Sequence, residues 1–372
     1  MSAPVFTSES RLMLIAPHPD DEALACSIIL QHAVSAGAAI HVLYATDGDD
    51  NPWPQRLLER KWRLGAADRR SWGKLRRAEA LAALHILGVG PANTGFFALP
   101  DQQLTHLLVT DCRSSFARFA TFINDWAPTH LLVPSIHDTH PDHSALAVML
   151  RLALGKLYPD GPPMSVWAYT VHGKSRAFFD RAHTLRQSKT ETKVKERAIR
   201  CHKTQLKLSR GRFLAYATRP ERFLKLEPRE STVGDGPIRW ILRESHALYL
   251  QLLLPAKPLR LTTTTLFVLG HDLTGRIRCV RAPVPVRPSV VELVDCDSCE
   301  RLHLAQYRGD AFAGEFAIPL DLFSPAHAVF IKLERRLWFF DEAGWLETSP
   351  VIADSPPTRM TRMECLKAEV LS

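Results

Sequence analysis

The sequence predicts an α/β fold: a mostly parallel sheet with helices on both faces, followed by a smaller β-rich, sandwich-like region. Three observations predict it. Apolar strand-like runs alternate with helical stretches as far as about residue 225. Two of those runs end in dense polar bursts, which places ionisable groups at strand carboxyl ends, where open α/β sheets bind ligands. Beyond about residue 228 the pattern becomes short strand-like runs separated by turn residues.

Taken in order, "RLMLIAP" (11–17) reads as a short buried strand. It leads into a helix "DEALACSIILQHAVSAG", with Asp20 or Asp21 at its cap and Gly37 just past its end. "AAIHVLYAT" is a second strand, closed by "DGDDNP". A basic helix is expected near residues 55–64 and another from about Ser71 to Leu87, ending at Gly88. "THLLVPS" (129–135) is a further apolar strand, running through "IHDTHPDH" into the helix "SALAVMLRLALGKL". "SVWAYTV" reads as a strand and "KVKERAIRCHKTQL" as one long helix. The alternation is Rossmann-like. After "EPRESTVGDGP" come "IRWILRE", "HALYLQLLL", "TTTTLFVLG", "RIRCVRAPV", "SVVELVD", "GEFAIPL", "AVFIKLE" and "LWFFDE". The expected domains are therefore 1–227 and 228–372.

At 372 residues, with 46% hydrophobic and 23% charged residues, the chain can form two ordinary cores. The start "MSAPVFTSES" shows no secretory pattern, and the apolar runs fall short of the ~20 residues of a spanning helix. The expectation is a cytoplasmic protein, with peripheral association at the inner membrane surface. Seven cysteines, odd and scattered, form no disulfide framework, and "CDSC" (Cys296, Cys299) reads as a turn, since no second such pair partners it. A formal charge of +8, concentrated at 56–77 and between Lys189 and Arg212, favours anionic partners such as phosphorylated sugars or lipid surfaces. Nucleic acid is disfavoured, because no recognition motif and few interleaved aromatics accompany the charge.

The chemistry concentrates in two bursts. His18, Asp20 and Asp21 follow the first strand; His137, Asp138, His140, Asp142 and His143 follow the strand at 129–135. Either burst alone reads as readily as a cap or a solvated loop as half of a metal site. Together, placed equivalently over one sheet, they offer His, Asp and His, a ligand set for zinc with an open fourth position; iron or cobalt would suit the same set.

"HPDDE" (18–22) and "HPDH" (140–143), with "TDGD", "RRAEALAALHILG", "LPDQQL" and "KERAIRCHKTQ" in order, resemble the PIG-L/LmbE-like zinc-dependent de-N-acetylases over about residues 10–225. The resemblance implies His18, Asp21 and His143 as metal ligands and Asp20 as general base. It implies His140, protonated, at the oxyanion or the leaving amine, and Asp142 orienting His140. Arg76 and Asp101 match positions that contact substrate. Gln102 stands where many members carry glycine.

The implied function is removal of the N-acetyl group from an amino sugar in a glycoconjugate or its precursor, anionic or lipid-linked, as in cell-envelope polysaccharide or lipopolysaccharide assembly. Two alternatives stand beside it: a glycan-binding protein with a vestigial metal site, and a metal-dependent hydrolase of another amide or ester. Of the remaining residues, His130 and His202 read as structural; His172, just after a strand, could line the pocket but reads better as a surface or hydrogen-bonded histidine. Asp47 reads equally as a site acid or a turn residue. Trp53, Trp62 and Trp72 read as packing residues.

Overall fold

In the computed structural model, residues 3–350 are described except 174, 227–235, 245, 255–263 and 338. The expected boundary at 227/228 lies outside the described residues. The first strand, β1 (Arg11–Ala16), is buried on both faces from Leu12 onward, as a central strand of a covered sheet must be. It pairs in parallel with β2 (Ala39–Thr46) on one side and β4 (His130–Pro134) on the other. β3 (Thr94–Leu99) and β5 (Ser165–Tyr169) extend the parallel sheet outward. Beyond β5 the direction reverses: β7 (Glu221–Lys225) and β6 (His183–Leu185) pair antiparallel, giving the order β3-β2-β1-β4-β5-β7-β6. The order turns back between β1 and β4, and the two polar bursts follow these two strands. The switch point of the sheet is thus where the site must form.

Helices cover both faces. α1 (Asp21–Ala25) and α2 (Ser27–Ser35) replace the single helix expected after β1. The chain breaks at Cys26, and the new N-terminus at Ser27 is satisfied from a distance: Glu221 accepts from the Ile28 and Ile29 amides at 2.9 and 3.2 Å. Lys195 pairs with the same carboxylate at 2.9 Å, both groups buried. α3 (Pro52–Glu59) and α4 (Ala66–Ile86) occupy the basic segment, the second beginning five residues earlier than expected. α5 (Leu104–Thr110), α6 (Arg113–Trp126) and α7 (Pro141–Leu157) pack on one face of the sheet. After the short α8 (Arg176–Phe179), the helix expected around residues 193–206 divides into α9 (Lys189–Cys201) and α10 (Lys203–Leu214). The break falls at His202, whose Nε2 lies 2.7 Å from Glu22 Oε1. Breaking the helix turns this buried ring toward the first polar burst.

The β-rich region comprises one nine-stranded antiparallel sheet of β8 (Ile238–Arg243), β9 (Ala247–Leu253), β10 (Thr265–His271), β11 (Ile277–Pro283), β12 (Ser289–Asp295), β13 (Arg301–Gly309), β14 (Ala313–Pro319), β15 (Val329–Glu334) and β18 (Leu346–Thr348). Their order is β18-β15-β10-β11-β12-β13-β14-β9-β8. One face of every strand enters a single core, from Ile238 and Leu250 through Val280, Tyr307 and Phe316 to Ile331 and Leu346. The sheet must therefore curl upon itself, and Arg243 near one edge donates to the Ser349 carbonyl near the other. The sandwich-like layering is realised by one nearly closed sheet. On its outer face Phe267, Leu269, Cys279, Phe330 and Trp345 join the core that also contains Leu108, Cys112, Phe116 and Leu146. The two regions share this apolar core. "CDSC" forms a turn in which Asp295 accepts from the Asp297 and Ser298 amides.

Candidate active site

The loop after β1 carries His18, Asp20 and Asp21 in quick succession, and its backbone is unusual. Asp20 adopts φ 155°, ψ −21°, a combination that L-residues rarely occupy. Its amide donates to Glu22 Oε2 at 3.0 Å, which helps to hold the turn. The consequence is divergence. Asp21 accepts from the His18 amide at 2.9 Å and faces the histidines, while Asp20 faces Arg76. The second burst forms the entrance to α7: His140 is its cap, Pro141 its first residue, and His143 projects from the first turn.

Three donor atoms converge. His18 Nδ1 lies 3.2 Å from His143 Nε2 and 3.8 Å from Asp21 Oδ2, and His143 Nε2 lies 3.5 Å from Asp21 Oδ2. A tetrahedral site with bonds near 2.1 Å spaces its donors about 3.4 Å apart. The triangle fits such a metal, and all three residues are buried. Burial pushes the Asp21 carboxyl up to about 6, against the pull of His143 and His18. A carboxylate that gains so little from its dry surroundings is suited to a cation. The donors of His18, His140 and His143 also lie within 4.8 Å of one another, so this group of histidines and aspartate can hold a metal ion.

The residues behind the triangle orient it. His143 Nδ1 lies 3.3 Å from Asp138 Oδ2, leaving Nε2 directed at the site. The same Asp138 oxygen accepts from the Val171 and His172 amides at 2.9 and 3.1 Å. Asp138 Oδ1 accepts from the His140 amide at 2.9 Å. Burial raises this carboxyl, but the His143 charge and hydrogen bond carry it well below the usual range. On His18 the second nitrogen, Nε2, lies 3.1 Å from Asp101 and 3.3 Å from Asp142. A second donor group, His18, Asp101 and Asp142, lies within 4.8 Å. Its carboxylates already accept from backbone amides of Asp50, Gln102 and Leu104, so we read them as the anchor of the His18 ring.

The structure sets four of the expected site residues in contacts other than those the resemblance implies. Asp142 does not orient His140 through its carboxylate, which lies on His18 and two amides; only its backbone amide meets His140, at Nδ1 and 3.2 Å. Arg76 and Asp101 do not present free groups to a substrate. Arg76 is 4% exposed and donates to the Gly48 and Pro19 carbonyls and, at 3.0 Å, to Asp20. Asp101 is 3% exposed and occupied by His18 and two amides. For His140, burial and the neighbouring His143, His18 and His172 rings push the pKa well below 6.5, which favours the neutral ring over the protonated one the resemblance implies. Its Nδ1 accepts from an amide, so the neutral ring carries its proton on Nε2.

His172 belongs to the site, with its ring centroid 5.3 Å from His143 and 5.7 Å from His140. From the sequence, Asp138 stands in the second burst without a role, and His172 reads better as a surface or hydrogen-bonded residue than as part of the pocket. A carboxylate five residues ahead of a candidate ligand histidine was the available signal for Asp138. For His172 the signal was its place just after the strand that forms β5. Asp47 lies outside the cluster, paired with Arg77 at 2.6 Å, and Trp72 packs in the interior.

Residues 13–154 match the family model described as PIG-L: GlcNAc-PI de-N-acetylase. The chain is 31% identical to the 1D-myo-inositol 2-acetamido-2-deoxy-alpha-D-glucopyranoside deacetylase of Mycolicibacterium vanbaalenii, over 36% of this chain and 50% of that one. Its identity to the protein of the same name from Mycobacterium avium is 29%, over 36% and 47%. The chain thus spans about half the length of the curated relatives it matches. Among solved structures, the zinc-inhibited form of teicoplanin deacetylase Orf2 aligns at TM-score 0.45 and 17% identity, covering 59% of this chain and 100% of that one. N,N'-diacetylchitobiose deacetylase from Pyrococcus horikoshii aligns at TM-score 0.46 and 16% identity, covering 58% and 84%. These named relatives are deacetylases. Residues 13–154, which hold every residue of the donor triangle, are thus the part of the chain that is similar to the PIG-L family.

Proposed function

We propose that this protein is a zinc-dependent hydrolase that removes the N-acetyl group from an amino sugar in a glycoconjugate or its precursor. The observation that carries the reading is the buried His18–Asp21–His143 triangle with a carboxylate, Asp20, and a neutral imidazole, His140, beside it. A divalent metal held by the three donors would supply the Lewis acidity that lowers the pKa of water and polarises an acyl oxygen.

The chain's own residues do the rest. Asp20, turned away from Asp21 and held by Arg76, takes a proton from the attacking water as its oxygen bonds to the acyl carbon. The C–N bond then breaks, and Asp20 returns the proton to the departing nitrogen, leaving a free amine and acetic acid, which ionises to acetate. His140 donates from Nε2 to the acyl oxygen as negative charge develops there. A neutral donor serves this purpose without adding charge among the other imidazoles. Arg76 and Asp142 act as positioning residues, the first on Asp20 and the second on His18.

The finer reading is an anionic or lipid-linked sugar of cell-envelope assembly, met at the cytoplasmic face of a membrane. Its support is the rim. Asp50, which donates to Asp101, leads directly into α3, where Trp53, Leu57 and Leu58 are exposed, with Trp62 following at 79%. α10 packs beside α3 and adds exposed Leu208. Arg56, Arg60, Lys61, Arg63, Lys207 and Arg210 lie among them, a composition suited to anionic headgroups. Among the described residues no helix is long and apolar enough to cross a membrane.

The test is acetate release by zinc-loaded protein from a panel of N-acetylhexosamine conjugates, including inositol-linked and nucleotide-linked sugars. Turnover of at least one is expected; silence of metal-loaded, folded protein across the panel would count against the reading. Sedimentation with anionic vesicles, lost with zwitterionic vesicles or high salt, checks the rim.

A further inference from the structure

The β-rich region reaches the site. After β15 (Val329–Glu334) the chain forms a small hairpin of β16 (Arg336–Leu337) and β17 (Phe340–Asp341). This hairpin and the residues after it lie along the loop that carries Asp138 and His140. The Asp341 amide donates to the Thr139 carbonyl at 2.8 Å, and the Trp345 amide to the Ile136 carbonyl at 2.7 Å. Contact at Gly344 is so close that a Cβ there would meet the Ile136 oxygen at 1.9 Å. Lys332 and Asp341, both fully buried, pair at 2.5 Å and tie the hairpin back to β15. The hairpin is thus fixed from its own sheet and from the catalytic loop together.

What it presents is Phe340. The ring stands at 80° to the His140 imidazole with centroids 5.7 Å apart, and 5.0 Å from His172. The Arg212 guanidinium lies 5.4 Å from the phenyl centroid and 3.5 Å from His172 Nδ1, which holds the group together from α10. The ring is only partly buried. Among the described residues, the other rings against His140 are His18, His143 and His172, all polar. Phe340 is the apolar one.

We infer that Phe340 is a specificity-determining residue that walls the acyl side of the site, so that the β-rich region sets which acyl group is removed. The assignment rests on the deacylase reading. His140 faces the acyl oxygen, and whatever is bonded to the same acyl carbon must lie within a few ångströms of that oxygen. An aromatic ring beside His140 offers a methyl group an apolar contact and obstructs a longer chain. Discrimination by one or two methylenes in such a pocket is typically ten-fold or more.

The experiment compares kcat/KM for N-acetyl, N-butyryl and N-hexanoyl forms of one glucosamine conjugate in the zinc-loaded full chain and in Phe340→Ala, Phe340→Leu and Phe340→Trp, with metal content measured in each. Phe340→Ala is expected to raise the butyryl-to-acetyl ratio about ten-fold. Phe340→Leu should raise it less, and Phe340→Trp should lower it, all at unaltered metal content. Leu and Trp keep a large apolar side chain on the hairpin, so they decide the matter if the alanine variant folds poorly. Active variants with the unchanged ratio would overturn the assignment alone. No acid released from any substrate by the unchanged protein would overturn the deacylase reading, and the assignment with it.

Discussion

At the scale of single residues, the site is a set of acids and imidazoles that need one another to be tolerable in a dry interior. Asp138 is the clearest case. It is fully buried, accepts three backbone amides and holds His143 by the nitrogen that faces away from the donor triangle. Asp138→Ala should therefore weaken metal affinity by about 10–100-fold, read by competition with a chelator, while His143 is still present. Undiminished affinity would show that the loop backbone alone orients the ring. The two polar bursts were legible because so many ionisable groups in an apolar context demand an explanation. Their internal pairing was not. Whether Asp142 serves His140 or His18, and whether Arg76 faces a substrate or Asp20, depends on which side chains from residues 20, 76, 101 and 142 meet in space. Sequence spacing carries no information on that.

At the scale of elements, strand-to-loop transitions were easier to read than helix interiors. β1, β2, β4 and β5 were apparent as apolar runs, and α7 as a long apolar helix following a Pro. The interruptions at Cys26 and His202 were hidden because both fall inside continuous helical patterns, and each is stabilised by a distant partner. Glu221 is the partner for the first: its carboxylate caps α2 and neutralises Lys195. Glu221→Ala should destabilise the fold by about 3–5 kcal/mol, since it strands a buried ammonium and leaves two helix amides unsatisfied. Chemical denaturation measures this, and a loss under 1 kcal/mol would mean that water enters and solvates Lys195. β3 was missed because "TGFFAL" is short and only half-buried, with no alternation to mark it.

At the scale of the whole molecule, the change from alternating elements to short strands was legible, but the way the two regions combine was not. An outer apolar face on β10, β11 and β15 looks in sequence like ordinary strand alternation. In the fold it completes the core over α5, α6 and α7. Ending the chain after residue 226 removes that cover and the hairpin that lies on the 136–140 loop. The truncated chain should expose Phe116, Leu108 and Cys112, bind a hydrophobic dye and lose the metal site's rigidity, with turnover falling at least 100-fold. A soluble, dye-free fragment with full turnover would show that the β-rich region is an independent module.

The most direct test of the central claim uses Asp20→Asn and His143→Ala beside the unchanged protein, with zinc content and acetate release measured on the same samples. Asp20 is assigned the proton transfer and His143 the metal. The expected result is that the unchanged protein binds one zinc per chain and releases acetate. Asp20→Asn should keep its zinc and lose at least 100-fold in turnover, whereas His143→Ala should lose both. Full activity in Asp20→Asn, or a folded native protein that takes up no metal, would contradict the account at its base.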